Sequence, residues 1–135
     1  MKINSEQEML EFGAQFVPKS NVIELIGDVG AGKTTFVRGL AKQLGIKEPV
    51  TSPSFTIYKS YAGKNKNLIH YDFYRLDNPG IMQEDLLENL KDPNNIVVIE
   101  WSDSVKDILP EDHTIINIKY NDDNSREVEI KWKCI

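Results

Sequence analysis

One segment constrains the fold of this chain more than any other: Gly27-Asp28-Val29-Gly30-Ala31-Gly32-Lys33-Thr34, which matches the pattern G-x-x-x-x-G-K-[ST]. The preceding run, Val22–Ile26, is short, apolar and β-branched and predicts a buried strand, whereas apolar residues recur with helical spacing over Thr35–Leu44. A strand, a glycine-rich loop and a helix in this order predict a loop whose backbone N–H groups surround an anion at the helix N-terminus. The sequence therefore predicts a nucleotide phosphate site.

Two side chains at the end of this loop add specific chemistry. Lys33 supplies a positive charge for the β- and γ-phosphates, and the Thr34 hydroxyl is placed to ligate Mg²⁺. The backbone must fold closely around the anion, which accounts for glycine at positions 27, 30 and 32. The expected phosphate-binding residues are Asp28, Val29, Gly30, Ala31, Gly32, Lys33, Thr34 and Thr35.

Length and charge exclude several classes of protein. A chain of 135 residues predicts one domain over residues 1–135, without a separate substrate domain. With 21 acidic and 16 basic residues, the chain lacks the basic surface needed to grip DNA or RNA unaided, so any RNA would be held by a partner. No stretch has the pattern of a signal peptide or the length of a membrane span, which predicts a cytoplasmic protein. Cys134 is the single cysteine, which leaves no internal disulfide.

Capping, periodicity and turn residues predict the remaining elements. Ser5 and Glu8 form a capping box for a helix over Glu6–Phe16. A turn at Pro79-Gly80 precedes a second helical stretch, Met82–Leu90. Two aromatic and β-branched runs joined by a polar turn predict a β-hairpin, and three further runs predict strands. These five strands are predicted over Phe55–Tyr61, Asn67–Tyr74, Ile96–Ile99, Thr114–Tyr120 and Glu127–Trp132.

Glu100 follows the continuous apolar run Ile96–Ile99, which is typical of a strand buried on both faces. Such a strand delivers its last residue to the edge of the sheet where ligands bind. A carboxylate at that edge can hold Mg²⁺ directly or through water. The alternative is a solvated glutamate at a strand end, and the adjacent Trp101 is either a core side chain or a cover over the site.

Three polar residues, His70, Asp72 and Tyr74, share one face of a predicted strand. In a functional interpretation, Asp72 orients an attacking water or a Mg²⁺-bound water, and His70 and Tyr74 hold it by hydrogen bonds. In a structural interpretation, His70 and Asp72 are a satisfied polar pair on a half-exposed hairpin. The spacing alone leaves both interpretations open.

Thr51 and Ser52 lie in the loop after the helix that follows the glycine-rich phosphate loop (P-loop). Several P-loop proteins have a segment in this position that senses the γ-phosphate. Their hydroxyls could reach Mg²⁺, and the alternative is a Ser/Pro-rich turn.

Two segments resemble the motifs of GTPases only in part. The D-x-x-G pattern at Asp77-Asn78-Pro79-Gly80 does not follow a buried strand, and the segment Asn65-Lys66-Asn67-Leu68 lacks the aspartate of N-K-x-D. Guanine specificity is therefore unsupported.

Four motifs together resemble one family of proteins. The segments GDVGAGKTTF (Gly27–Phe36), TSPSF (Thr51–Phe55), HYDFYRL (His70–Leu76) and IEWSD (Ile99–Asp103) occur in the order and at the spacing of the TsaE (YjeE) family. That family is the small bacterial ATPase of tRNA threonylcarbamoyladenosine synthesis. The resemblance extends from Ser5 to Arg126 and therefore covers nearly the whole chain.

The resemblance implies an α/β fold: a P-loop three-layer sandwich with a mostly parallel central sheet and antiparallel hairpin strands. It implies ATP and Mg²⁺ as cofactors, with the metal held by Thr34 and Glu100. It also implies that the loop containing Thr51 and Ser52 is switch-like and that Asp72 lies near the γ-phosphate. It further implies that Glu6 and Arg126 lie near the base and ribose of the nucleotide. The candidate catalytic residues are Lys33, Asp72 and Glu100.

The resemblance also implies a division of labour. A separate TsaB–TsaD heterodimer would transfer the threonylcarbamoyl group to adenosine 37 of tRNA, and this chain would bind it and hydrolyse ATP to permit repeated turnover. It would meet tRNA only through the complex, and neither DNA nor a membrane is expected as a partner. Two alternatives remain: a small-molecule kinase with the same phosphate cradle, and an ATP-binding adaptor that does not hydrolyse.

Overall fold

The computed structural model describes most of the chain, namely residues 1–28, 30–51, 53, 57–74 and 80–133. Several sequence-based predictions fall on residues outside these ranges. They concern Val29 in the phosphate loop, Ser52 in the switch-like loop, residues 54–56 with the end of the TSPSF motif and the start of the predicted strand Phe55–Tyr61, residues 75–79 with most of the D-x-x-G pattern, and Cys134.

Seven strands and three α-helices follow one another along the described chain. The helices are α1 (Glu6–Gln15), α2 (Lys33–Gln43) and α3 (Ile81–Lys91), and a 3₁₀ helix spans Ser102–Ile108. The strands are β1 (Lys2–Ile3), β2 (Val22–Gly27), β3 (Tyr58–Ala62), β4 (Asn67–Asp72), β5 (Asn95–Glu100), β6 (His113–Tyr120) and β7 (Arg126–Lys133).

All seven strands form one sheet in the order β1-β7-β6-β2-β5-β4-β3. The four central strands, β6, β2, β5 and β4, run parallel to one another. The outer pairs β1–β7, β6–β7 and β3–β4 are antiparallel. Parallel strands share one carboxyl edge, so the ends of β2, β4, β5 and β6 meet on the same side of the sheet.

The sheet is covered on both faces, which confirms the predicted α/β fold. One apolar cluster joins α1 and α2 to residues such as Ile23, Leu25 and Val98. The other joins residues of α3 and the 3₁₀ helix, Leu86 and Val105, to the opposite face of the sheet. The parallel arrangement is confined to the centre of the sheet, because short loops connect β3 to β4 and β6 to β7 and permit only antiparallel pairing there.

Several boundaries differ from the predicted ones. Helix α2 begins at Lys33 rather than at residue 35, because the glycine loop passes directly into the helix. Strand β1 and the 3₁₀ helix were not predicted, since a two-residue strand and a seven-residue 3₁₀ run carry no periodic signal. Among the described residues, none of the helices has the length and apolar character needed to cross a bilayer.

Helices α1 and α2 cross in close contact at a pair of glycines. An added Cβ at Gly13 would lie 2.3 Å from the Phe36 carbonyl oxygen, and one at Gly39 would lie 2.2 Å from the Leu10 carbonyl oxygen. Both obstructing atoms belong to backbone, so neither can move away cheaply. This contact brings the start of α1 beside the phosphate loop, where an added Cβ at Gly32 would lie 3.2 Å from Met9 Cε.

We expect Gly39→Ala to destabilise the protein by about 1–3 kcal/mol, the range for overpacking of a close contact. The loss should occur although alanine is favoured over glycine in a helix by about 1 kcal/mol. Urea unfolding measures the difference, with Lys42→Ala as the control at an exposed position of the same helix. Stability equal to that of the wild type would contradict backbone contact at this crossing.

Candidate functional site

The carboxyl edge of the parallel strands gathers most of the residues singled out in the sequence. The phosphate loop follows β2, while Asp72 and Glu100 end the neighbouring strands β4 and β5 and are register partners. Gly27 pairs with Ile118 near the end of β6. Residues that are far apart in the sequence thus meet along one edge, as the buried-strand pattern at Glu100 predicts.

The phosphate loop has the backbone that its glycines permit. Gly30 and Gly32 have φ values of 82° and 108°, in the left-handed region that favours glycine. The Ala31 N–H donates to the Asp28 carbonyl at 3.0 Å, which closes a turn immediately before α2. The N-terminus of α2 therefore follows the loop directly, with the dipole orientation that favours an anion.

Lys33 is buried at the start of α2, and its ammonium group has three neighbours. Its Nζ donates to the Gly27 carbonyl at 2.6 Å and lies 3.3 Å from Glu100 Oε1. It also lies 4.4 Å from the centre of the Trp101 ring, a cation–π distance. The side chain is 7% exposed, so its charge is compensated mainly by Glu100.

Glu100 is held on both carboxylate oxygens. His70 Nε2 contacts Oε2, and Lys33 contacts Oε1. Burial by itself raises the pKa of the Glu100 carboxyl, but the hydrogen bond from His70 and the attraction of His70 and Lys33 outweigh it, so this pKa lies below its usual value. An ionised carboxylate accepts only, so His70 Nε2 donates to it.

The free energy of unfolding is expected to depend on pH through the buried Glu100 carboxylate and its partners Lys33 and His70. Because the folded-state pKa of Glu100 is lowered, its charge stabilises the fold at pH values above the usual carboxyl pKa of 4.5, and this contribution is lost as the pH falls through the lower folded-state value. Glu100→Gln should therefore be destabilised at pH 7, by about 3–5 kcal/mol for a broken buried pair. The deficit should shrink in acid. A deficit that stays constant from pH 7 to pH 3 in urea unfolding would contradict this assignment.

Asp72 is buried at the end of β4 beside Glu100. Its Oδ1 accepts the Tyr74 backbone N–H at 2.9 Å, and its own N–H donates to the Ile57 carbonyl at 2.7 Å. The prediction that His70 holds Asp72 by a hydrogen bond is wrong, because His70 Nε2 bonds Glu100 and its Nδ1 has no partner among the described residues. Since the His70 side chain is fully buried, the half-exposed polar pair considered above is also wrong.

Trp101 follows Glu100 and has a left-handed backbone conformation, with φ 54° and ψ 55°. This conformation is uncommon for a large side chain. Its ring packs over the Lys33 ammonium and against the Tyr74 ring, with centroids 4.8 Å apart. The ring also packs against the apolar cluster that includes Leu86 and Val105, so its contacts match both predicted roles, a side chain at the edge of the core and a cover over the site.

Glu6 and Arg126 lie on the same pocket, although 120 positions separate them in the chain. The pocket has a volume of about 300 Å³ and opens beside the phosphate loop. The described residues that line it are Ser5, Glu6, Met9, Gly30, Ala31, Gly32, Thr35 and Arg126. The predicted base and ribose contacts are thus brought to the loop, whereas Asp28 lines a separate groove of about 410 Å³ with Trp101 and Lys106.

Thr51 lies near Lys59 and Tyr61 on β3. Its hydroxyl accepts a hydrogen bond from Lys59 Nζ, and its backbone N–H donates to the Tyr61 hydroxyl at 3.4 Å. Arg38 on α2 donates to the preceding carbonyl, that of Val50, at 3.0 Å. The start of the switch-like loop, at Val50 and Thr51, is therefore bound to both α2 and β3, a link that the sequence motif did not predict.

The oxygen atoms at this edge fit Mg²⁺, which prefers hard oxygen ligands and usually keeps several waters. Thr34 lies half-buried in the first turn of α2, and Glu100 offers an ionised carboxylate. Lys33 and His70 already engage both oxygens of that carboxylate. Contact between Glu100 and an ion through water is consistent with these bonds.

The sequence is similar to one protein family and to individual proteins that carry the same name. The family profile described as "Threonylcarbamoyl adenosine biosynthesis protein TsaE" matches residues 3–128. The tRNA threonylcarbamoyladenosine biosynthesis protein TsaE of Haemophilus influenzae is 35% identical over 136 residues, which cover 95% of this chain and 85% of that protein. The protein of the same name from Bacillus subtilis is 39% identical over 116 residues, covering 85% of this chain and 72% of that protein.

The fold is also similar to that of a solved structure. The crystal structure of Bacillus subtilis YdiB superposes with a TM-score of 0.79 and 31% sequence identity, covering 99% of this chain and 84% of that one. The similarity therefore includes the whole sheet and both helical layers.

Proposed function

This chain belongs to the TsaE family of tRNA threonylcarbamoyladenosine biosynthesis, and from this premise we propose that it is the Mg²⁺-dependent ATP-binding and hydrolysing subunit of that process. In this proposal the chain does not transfer the threonylcarbamoyl group. It acts in the cytoplasm with a TsaB–TsaD heterodimer, which transfers the group to adenosine 37, and ATP hydrolysis permits repeated turnover. Contact with tRNA is indirect.

The observation that carries the proposal is the buried network of Lys33, Glu100 and His70 at the mouth of the phosphate loop. Phosphoryl transfer requires a positioned positive charge and a carboxylate that can hold the metal ion. The network supplies both, as a lysine and a glutamate beside a glycine-rich loop at one edge of the sheet. Asp72 ends the adjacent strand, level with Glu100. A purely structural ion pair would need neither the glycine loop nor a second buried carboxylate beside it.

Each residue has a distinct role in the proposed reaction. The loop amides and Lys33 bind the β- and γ-phosphates, and Asp72 orients the attacking water. Thr34 and Glu100 would hold Mg²⁺, which when bound neutralises phosphate charge. His70 fixes the orientation of Glu100. ATP is preferred to GTP because the chain lacks the N-K-x-D motif that reads guanine.

The chain's own composition supports indirect contact with tRNA. Its net charge is −5, and only three of its sixteen basic residues are arginines. Phosphate neutralisation dominates nucleic-acid affinity, so an acidic chain depends on a partner to hold RNA.

The direct test measures Mg²⁺-dependent ATP hydrolysis by the purified chain with and without its TsaB and TsaD partners. We expect activity that depends on Mg²⁺ and rises strongly when both partners are present. Equal threonylcarbamoyladenosine turnover with ATP and with a non-hydrolysable analogue would overturn the hydrolytic role. Vigorous hydrolysis by the isolated chain would contradict partner activation.

A further inference from the structure

The β6–β7 hairpin ends beside the phosphate loop with a stacked pair of side chains. Tyr120 is the last residue of β6, Arg126 is the first of β7, and the two are register partners. The guanidinium carbon of Arg126 lies 3.8 Å from the centre of the Tyr120 ring, a close cation–π distance. Arg126 Nη1 also donates to the Asn124 carbonyl at 2.6 Å. The pair is therefore oriented by contacts within its own hairpin.

Both side chains donate hydrogen bonds to consecutive carbonyl groups of the phosphate loop. The Tyr120 hydroxyl donates to the Gly30 carbonyl, and Arg126 Nε donates to the Ala31 carbonyl at 3.1 Å. The hairpin thus contacts the loop at the two residues that precede Gly32 and the start of α2.

These two bonds define the orientation of two peptide planes. In a trans peptide, the carbonyl and the N–H of the following residue point in opposite directions. A Gly30 carbonyl held toward Tyr120 therefore directs the Ala31 N–H away from it, toward the Asp28 carbonyl that it bonds at 3.0 Å. In the same way, the bond from Arg126 to the Ala31 carbonyl directs the Gly32 N–H away from the arginine. Glycine permits many other orientations here, so external bonds are needed to select one.

The two side chains differ in their access to a bound nucleotide. Arg126 lines the pocket of about 300 Å³ beside the loop, whereas Tyr120 is not among the described residues that line it. The Tyr120 hydroxyl bonds the Gly30 carbonyl, so we expect its removal to affect ligand binding through the Gly30 peptide. This difference separates positioning of the loop from contact with the base.

We propose that Tyr120, with Arg126, is a positioning residue of the phosphate loop: Tyr120 fixes the Gly30 peptide, whose Ala31 N–H closes the turn to Asp28, and Arg126 fixes the next peptide, so that the Gly32 amide is directed at a polyphosphate chain. The inference rests on the proposed function, since it assumes that the loop binds a nucleoside triphosphate. The proposal requires that the Tyr120 hydroxyl affects binding of the phosphates and has no effect on binding of the base.

The test compares ATP with inorganic tripolyphosphate, both with Mg²⁺, by calorimetry. Tyr120→Phe retains the ring under Arg126 and removes only the hydroxyl. It should raise the Kd of both ligands by the same factor, about two- to tenfold, the equivalent of one hydrogen bond. Tyr71→Phe is the matched control, because it removes a hydroxyl that bonds Asp85 and Asn89 on α3. The control should leave both Kd values unchanged.

A second measurement needs no ligand. In hydrogen exchange, Tyr120→Phe and Arg126→Lys should both accelerate exchange at the Ala31 amide, whose bond to the Asp28 carbonyl closes the turn, while strand amides of the sheet exchange as in the wild type. Arg126→Lys retains the positive charge but removes the Nε donor. A purely stabilising role would accelerate exchange throughout the chain and lower the unfolding midpoint instead.

The outcomes separate this inference from the proposed function. A wild type that binds ATP, with a Tyr120→Phe variant of unchanged Kd and unchanged amide exchange, would overturn the inference alone. A loss confined to ATP, with tripolyphosphate binding intact, would assign Tyr120 to base recognition and also overturn it. A wild type that binds neither ligand would overturn the proposed function and the inference together.

Discussion

Lys33→Ala is expected to lower partner-dependent ATP hydrolysis by at least about a hundredfold, the scale on which removal of one positioned electrostatic group reduces catalysis. The Lys33 Nζ is anchored at 2.6 Å to the Gly27 carbonyl and at 3.3 Å to Glu100, within the loop that would receive the phosphates. Its loss removes the charge that, in the proposed function, would face the β- and γ-phosphates. Affinity for ATP should fall as well, because this charge contacts the ground state too.

Lys42→Ala is the matched control for this prediction. Lys42 lies on the same helix, α2, but is exposed near its C-terminal end. The control should hydrolyse ATP at the wild-type rate. Since Lys33→Ala leaves Glu100 without its cation, circular dichroism must show that the variant folds. A folded Lys33→Ala variant with activity within about twofold of the wild type would contradict the proposed role.

The features that could be predicted from sequence are those with local signals. The glycine loop, its flanking strand and its helix occupy one continuous segment, so residues 22–44 contained enough information for this unit. The meeting of Glu100 with the loop was also predictable, because buried parallel strands deliver their last residues to a common edge. The β3–β4 hairpin followed from its polar turn, and it pairs antiparallel as expected.

The partner of His70 could not be predicted from spacing along β4. Its bond to Glu100 depends on which strand lies beside β4 and in which register, and neighbouring strands are distant in sequence. Strand alternation correctly grouped His70 with Asp72 on one face, but the proximity of Glu100 on β5 decided the hydrogen bond. Nearby residues in one strand were therefore a poor guide to the network.

The link from Tyr120 to Gly30 was missed for a related reason. Tyr120 has the alternation of an ordinary exposed strand residue, and 90 positions separate it from the glycine. The available signal was the short turn between the last two strands, which makes Tyr120 and Arg126 cross-strand neighbours. Because the family resemblance places Arg126 near the nucleotide, its neighbour across the predicted hairpin is expected in the same region.

Asp72→Asn is expected to reduce partner-dependent ATP hydrolysis by about a hundredfold or more while leaving the Kd for Mg·ATP within about twofold of the wild type. Asparagine retains the Oδ1 acceptor that bonds the Tyr74 N–H, so the local backbone should be preserved. It removes the negative charge and the proton-accepting capacity that would orient a water in the proposed reaction, and general-base catalysis contributes about a hundredfold to ten-thousandfold. The expected pattern therefore differs from that of Lys33→Ala, in which binding and hydrolysis both fall.

Asp107→Asn provides a matched charge change at an exposed position of the 3₁₀ helix and should hydrolyse ATP normally. Single-turnover measurements with saturating ATP would separate the chemical step from binding and release. Equal losses in affinity and rate for Asp72→Asn would assign the carboxylate to nucleotide binding. An unchanged single-turnover rate would exclude Asp72 from the reaction, because a water-orienting carboxylate next to Glu100 must act in that step.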